Sequence, residues 1–205
     1  MHGSAYAQSQ TELNLNAQLL VAARNDDVVT VRRALEEGAA VNSRNRAGDT
    51  ALILFVRKGN AELAKLMIDK GADVNLANLD KVSPLMAAAH AGHADVAALL
   101  LEKGANPAAV DQVGKTAMVY AAGQGHTQVV SLLLDAGVDV NATYKHNLTA
   151  LMWAAGYGKA ITVELLLVRE ADAGMKDDRG KTAREIAEGA GHKDVAAILE
   201  RKEER

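Results

Sequence analysis

Apolar residues recur along the chain with helical spacing, inside a longer repeat. Val96 and Leu100 lie one turn apart, and Val129 and Leu133 reproduce the pair 33 residues later. Leucine triplets keep the same interval, at residues 99–101, 132–134 and 165–167. A fixed period of this length predicts a repeat array, and the helical spacing predicts that the array is all-α.

Polar and small residues mark where each predicted helix begins and ends. One hydroxyl residue per unit precedes an apolar stretch, where its side chain can accept a hydrogen bond from the free N–H groups of a helix start. These N-caps are Thr50, Ser83, Thr116, Thr149 and Thr182. Glycines follow each of two helices per unit, at 59, 92, 125 and 158 and again at 71, 104 and 137. Glycine suits a helix end because it adopts the left-handed conformation without strain.

The succession of helix, tight turn, helix and hairpin-like finger resembles the ankyrin repeat. The residues that carry the resemblance are Ser83-Pro84-Leu85, Ala88-Ala89, Gly92-His93, Leu99 to Leu101 and Gly104-Ala105. The resemblance covers residues 12–202 and implies an all-α repeat solenoid. It implies a flexible tail, residues 1–11, and one domain with units 12–44, 45–77, 78–110, 111–143, 144–176 and 177–205, the first and last being caps.

Two features depart from the family pattern. The family usually has His after the Thr-Pro-Leu stretch, whereas this chain has apolar residues, which we interpret as packing substitutes. They are Ile53, Met86, Val119 and Met152. In unit five, Glu170 stands where glycine ends the second helix elsewhere. If it is left-handed there, it costs on the order of 1 kcal/mol relative to glycine.

Composition narrows the class of protein. Aromatic residues make up only 3% of the chain, and the absence of cysteine excludes disulfides, thiolate nucleophiles and cysteine-ligated zinc. The net charge of −3 gives no argument for nucleic acid or a membrane as partner. The alanine-rich array suggests a bacterial source. Ala5-Tyr6-Ala7 has the small-x-small form that precedes a signal-peptidase cut, so we expect a cytoplasmic or periplasmic protein.

Residues that resemble a metal site or a phosphate loop are better explained by their positions in the repeat. His90 and His93 are spaced like a metal pair, but Gly92 interrupts the helix between them. His93, His126 and His192 share one slot of the repeat, which indicates a role in stabilising the loop. Residues 156–159 resemble a phosphate loop only faintly, because they follow a helix and not a strand. We therefore expect no enzyme activity, no metal and no cofactor.

The resemblance implies that the fingers and first helices form a concave face that binds a protein. The residues expected there are Arg57, Lys58, His90, Lys115, Tyr120, Gln124, Tyr144, Lys145, His146, Trp153 and Tyr157. Four of the six aromatic residues fall in units four and five, and Tyr and Trp are frequent binding hot spots. Tyr120 and Trp153 share a slot and are expected to stack side by side, as surface or as core.

Charge favours one kind of partner. Basic residues concentrate at the fingers, whereas acids such as Glu102 and Asp135 lie on second helices. An acidic protein surface would complement such a face. We expect a monomeric scaffold that acts as adaptor, inhibitor or protective partner. The alternative is a small-molecule or nucleic-acid binding module on the same face.

Overall fold

The computed structural model describes the backbone of residues 2–203 and the side chains of residues 14–202. This part of the chain forms twelve α-helices in six antiparallel pairs and contains no strand. The first helices of the pairs are α1 (His2–Asn25), α3 (Ala51–Lys58), α5 (Pro84–Ala91), α7 (Ala117–Gln124), α9 (Ala150–Gly156) and α11 (Ala183–Ala190). The second helices are α2 (Val28–Glu36), α4 (Ala61–Asp69), α6 (Ala94–Glu102), α8 (Thr127–Asp135), α10 (Ala160–Val168) and α12 (Lys193–Glu203). The fold is the all-α solenoid that the repeat predicts.

The helix starts follow the predicted caps. Each hydroxyl side chain accepts the N–H of the third residue after it, as Thr50 Oγ1 does from Ile53 at 3.3 Å. The same bond begins the other four helices, at Ser83, Thr116, Thr149 and Thr182. Glu185 adds the reciprocal bond to the Thr182 N–H and completes a capping box. The five predicted N-caps are confirmed.

The core runs the length of the stack. Leu133 and its equivalents in neighbouring units are fully buried between the two helix layers. The residues that replace the family histidine, among them Ile53 and Met152, are also buried, which confirms them as packing substitutes. First helices approach each other more closely than second helices do. The array therefore curves, with the first helices and the fingers on its inner, concave side.

Asparagine side chains join successive units beside the second helices. Asn42 Oδ1 accepts the Asp73 N–H at 3.0 Å, and its amide donates to the Gly71 carbonyl at 3.5 Å. The same two bonds recur from Asn75 and from Asn141. Alanine occupies this slot at position 108, so the junction between units three and four lacks the bonds.

The irregular end of unit five is confirmed. Glu170 has φ of 66°, in the left-handed region that glycine occupies at the equivalent positions 71, 104 and 137. The helix closes as it does in the other units, with the Glu170 N–H bonded to the Leu167 carbonyl at 3.2 Å. Unit six nevertheless stacks on unit five through close contact of α9 with α11.

The ends of the chain leave two predictions open. Helix α1 begins at His2, inside the segment 1–11 that the sequence predicts to be a flexible tail. The side chains of that segment, including Ala5-Tyr6-Ala7, lie outside the described residues, so the tail and the export signal stay predictions. Each predicted unit contains one helix pair, apart from the earlier start of α1. No helix in the described residues is long and apolar enough to cross a membrane.

Candidate protein-binding face

Five fingers connect the units, and four of them share one turn. They span residues 45–49, 78–82, 111–115, 144–148 and 177–181 and are numbered here two to six, by the unit that each one opens. Asn45, Asn78, Asp111 and Asp177 begin fingers two, three, four and six. Each Oδ1 accepts the N–H groups two and four residues later, over 2.8–3.0 Å. These bonds fold the finger from within.

The fifth finger is built differently. Tyr144 occupies the position of the Asn or Asp and cannot fold the turn in this way. The backbone instead makes a short 3₁₀ turn, Lys145–Asn147, in which His146 and Asn147 both have positive φ, of 63° and 54°. Left-handed backbone at two consecutive residues other than glycine is strained. The fifth finger therefore has a shape of its own.

The row of fingers is interrupted at the same place. Leu79 donates its backbone N–H to the Ala47 carbonyl at 3.1 Å, joining fingers two and three. Fingers three and four, and fingers five and six, are joined by equivalent bonds from Gln112 and Asp178. Within the described part of the chain, no such bond joins Lys145 to Val113. Fingers four and five therefore lack this backbone link, and residues of both line a pocket in the gap between them.

Tyr120 and Trp153 lie on the concave side and are both half-buried, and they do not stack on each other as the sequence suggested. The Lys115 ammonium lies over both rings, 5.5 Å from the centroid of Tyr120 and 5.2 Å from that of Trp153. Both distances are within the range of a cation–π interaction. The ring of His90 meets Tyr120 edge-on, with centroids 5.3 Å apart. The Lys115 ammonium therefore contacts both Tyr120 and Trp153, in place of a direct contact between the two rings.

Trp153 stacks on Tyr157 instead. The rings are nearly parallel, at 10°, with centroids 6.0 Å apart, and Tyr157 is 56% exposed. Gly123 allows this arrangement, because a Cβ at that position would lie 3.7 Å from the Tyr157 ring and a longer side chain would occupy its place. The indole N–H of Trp153 is buried and has no acceptor among the described residues.

The predicted cations of the second unit have structural partners. Arg57 Nη1 lies 2.8 Å from the buried carboxylate of Asp49. Lys58 Nζ lies 2.7 Å from Asp26 Oδ2 and also donates to the Arg24 carbonyl. Lys58 therefore ties the end of α1 to the end of α3. Arg57 lines a groove of about 410 Å³ together with His90 and Tyr120.

The remaining predicted residues lie beside the aromatic residues. Gln124 is exposed at the end of α7. Lys145 and His146 are exposed on the fifth finger, with His146 Nδ1 3.5 Å from Asp178 Oδ2 on the sixth. Tyr144 is half-buried and packs against the core at the base of its finger. The binding role of the predicted residues stays a prediction.

Some cations on each side of the array form ion pairs. On the second helices Lys65 pairs with Asp69 at 2.8 Å and Arg169 with Asp135 at 2.7 Å, and on the sixth finger Arg179 pairs with Asp177 at 2.7 Å. In the described part of the chain, the lysines of fingers three to six form no ion pair. They are Lys81, Lys115, Lys145 and Lys181.

Two tyrosines on this side have raised pKa values. Burial, followed by the hydrogen bond of its hydroxyl to Asp111 Oδ2 at 2.5 Å, raises the pKa of Tyr120 to about 12. Burial also raises the pKa of Tyr144. Both phenols are therefore neutral under ordinary conditions, and the positive charge of the finger lysines is not offset by tyrosinate.

Sequence reasoning missed the residues that shape the face. One slot of the repeat holds Arg57 and His90 in units two and three and glycine, at 123 and 156, in units four and five. The change from long side chains to glycine in the sequence indicated space beside the aromatic residues. Asp111 accepts a hydrogen bond from the Tyr120 hydroxyl and also folds the fourth finger. Its position 33 residues after Asn78 was the signal in the sequence.

The histidines of the inter-helix turns have the predicted structural role. His93 Nε2 lies 3.2 Å from the Arg57 carbonyl, and His126 Nε2 lies 3.1 Å from that of His90. Each ring therefore links a turn to the preceding first helix. No group of three or more potential metal ligands occurs among the described residues.

Comparison with family models agrees with the geometry. A model described as ankyrin repeats (3 copies) matches residues 19–111 and 73–144, and a second, ankyrin repeats (many copies), matches residues 133–187. The chain belongs to the ankyrin-repeat family. Repeats of this kind generally mediate protein–protein interaction. A search of curated proteins found no match.

Proposed function

We propose that the chain is a non-catalytic scaffold that binds another protein on its concave face, centred on units four and five. Such a scaffold would act as adaptor, inhibitor or protective partner. The observation that carries the proposal is the stacked pair of Trp153 and Tyr157, which leaves more than half of a tyrosine side chain exposed. Large aromatic side chains of this kind dominate the binding energy of many protein interfaces.

The unpaired finger lysines support an acidic partner surface. Their charges are exposed or half-exposed along four successive fingers. The finger carboxylates of Asp49 and Asp111 are buried and hydrogen-bonded, and those of Asp80 and Asp178 are exposed. A face of this charge attracts an acidic surface and raises its rate of association. The chain itself is proposed to act as a monomer.

The test is affinity capture with matched variants. The intact chain and its Tyr157→Ala and Glu102→Ala variants are immobilised, exposed to a host lysate, and the retained proteins are identified by mass spectrometry. A partner retained by the intact chain and by Glu102→Ala, but lost with Tyr157→Ala, supports the proposal. Amide-exchange protection of the second helices by that partner, with normal retention by Tyr157→Ala, contradicts it.

One observation favours the alternative of a small ligand. The groove beside Arg57 and His90 has a volume of about 410 Å³, within the ~300–1,000 Å³ typical of small-molecule sites. A thermal-shift screen with a metabolite panel distinguishes the two functions. A ligand whose stabilisation disappears in His90→Ala would support the alternative and leave the aromatic pair unexplained.

A further inference from the structure

A small pocket lies in the gap between the fourth and fifth fingers. Its volume is about 230 Å³, below the ~300–1,000 Å³ of sites that enclose small molecules. Its principal lining residues are Val113, Lys115, Val119, Tyr144, Leu148 and Trp153. A space of this size suits one side chain of a bound protein.

The pocket is lined by apolar and aromatic side chains together with basic ones. Lys115 has its ammonium fixed over two aromatic rings, while Lys145 and His146 line the side of the fifth finger. Among the described residues, none with a carboxylate lines the pocket. The indole N–H of Trp153, one of the lining residues, is buried and lacks an acceptor among the described residues. This combination complements an acceptor with negative charge.

The pocket exists because the chain departs from its own repeat. Tyr144 replaces the Asn or Asp that folds the other fingers, and His146 and Asn147 take the left-handed conformation as a consequence. Among the described residues the bond that would join Lys145 to Val113 is missing, so the Lys145 N–H and the Val113 carbonyl lack the backbone partner that their equivalents have. Departures from a local rule, together with backbone strain, are concentrated at functional sites.

We propose that this pocket receives an aspartate or glutamate side chain of the partner, and that an aromatic or aliphatic residue next to it packs on Trp153 and Tyr157. The inference rests on the proposed function and specifies the partner as an extended acidic segment with an apolar anchor. Lys115 binds the carboxylate, and the free backbone groups of the two fingers suit an extended chain.

Trp153 is the only tryptophan, so its fluorescence reports directly on the pocket. The full chain is titrated at low salt with the capped peptide Ac-Glu-Glu-Phe-Glu-Glu-NH2. Two controls, Ac-Gln-Gln-Phe-Gln-Gln-NH2 and Ac-Glu-Glu-Ala-Glu-Glu-NH2, lack the charge or the anchor. We expect a saturable change in emission below about 1 mM for the first peptide and at least about tenfold weaker binding of both controls.

Variants separate the pocket from a general effect of charge. Lys115→Met should abolish the emission change and Lys115→Arg should keep it. Lys70→Met removes the same charge from the end of α4, on the second-helix side, and should bind at least half as tightly. Tyr144→Asn, which restores the residue that folds the other fingers, should close the gap and weaken binding. Circular dichroism melts establish that each variant is folded.

Several outcomes overturn the inference. Equal binding of the glutamine peptide, unchanged binding by folded Lys115→Met, or no emission change up to about 1 mM would each do so. Equal or tighter binding of a single-stranded oligothymidylate would assign the pocket to nucleic acid. If no acidic peptide binds while Tyr157→Ala still loses its captured partner, the inference fails and the proposed function stands.

Discussion

The side chain of Asn75 accepts a hydrogen bond from the backbone N–H of Asn106 over 2.8 Å, and its amide donates to the Gly104 carbonyl over 3.1 Å. These two bonds tie the loop of one unit to the end of the next. Ala108 occupies the same slot one unit later, and its backbone N–H makes the same turn bond, to Asn106 Oδ1 at 2.9 Å. The local backbone is thus already suited to an asparagine.

Ala108→Asn should therefore stabilise the junction between units three and four. Two new hydrogen bonds, to the Asp139 N–H and the Gly137 carbonyl, should raise the free energy of unfolding by about 0.5–1.5 kcal/mol. The measurement is the urea midpoint, with Asn75→Ala as a control that should lower it by a similar amount. An unchanged midpoint for Ala108→Asn would mean that the fingers, not the loop, determine the strength of this junction.

Glu170→Gly should stabilise the end of unit five. The residue is left-handed, with φ of 66°, and glycine avoids the steric cost that a Cβ incurs there. We expect a gain of about 0.5–1 kcal/mol in the free energy of unfolding. The reverse change at an equivalent position, Gly104→Ala, should destabilise the chain. A lower urea midpoint for Glu170→Gly would contradict this reasoning.

Leu133→Ala tests the register of the stack. The side chain is fully buried between the helix layers, so its truncation leaves a cavity and should cost about 2–5 kcal/mol. Because each unit contacts only its neighbours, the loss should also divide the unfolding into separate transitions. Ile161→Ala, at a position that is 72% exposed, is the control and should change little. A cost for Leu133→Ala below half a kilocalorie, measured by urea unfolding, would exclude the proposed packing.

The sequence predicts those features that depend only on the type of a residue and its position within the repeat. The cap at Thr116, the left-handed Glu170 and the buried Met152 all follow from comparing one unit with the next at an interval of 33 residues. In each case a short-range rule, such as capping or the conformational freedom of glycine, fixes the outcome.

Features that depend on contacts between units were not predictable in this way. The charge of Lys58 is matched by Asp26, which is 32 residues earlier in the chain, and the sequence did not indicate this partner. Tyr120 and Trp153 were expected to stack, but Lys115 from the fourth finger lies over both rings. Such choices depend on side-chain conformations that a repeat period does not specify.

The raised pKa of Tyr120 gives a prediction for alkaline pH. Folding favours the protonated phenol, so its stabilising contribution is complete below about pH 10, the ordinary value for tyrosine. It is lost as the pH rises through the folded-state value of about 12. Absorbance of tyrosinate near 295 nm, compared between the intact chain and Tyr120→Phe, should show one phenol that titrates near the upper value. A difference curve centred near pH 10 would show that the phenol is exposed to water.

The last prediction distinguishes anchor from steering residues in partner binding. Tyr157 is 56% exposed and packs flat on Trp153, so a partner that covers it would exclude water from a large rigid surface. Tyr157→Ala should weaken binding by about 1–2 kcal/mol or more, mainly through faster dissociation. Surface plasmon resonance with the captured partner measures both rate constants.

Lys145 should affect the association rate constant. Its exposed charge on the fifth finger attracts an acidic partner before contact, so Lys145→Ala should slow association, and the difference should disappear at high salt because ions screen the charge. Glu102→Ala, on the second-helix side, should change neither rate. The assignment fails if Lys145→Ala accelerates dissociation and leaves association unchanged at low salt, because its ammonium would then belong to the tightly packed contact.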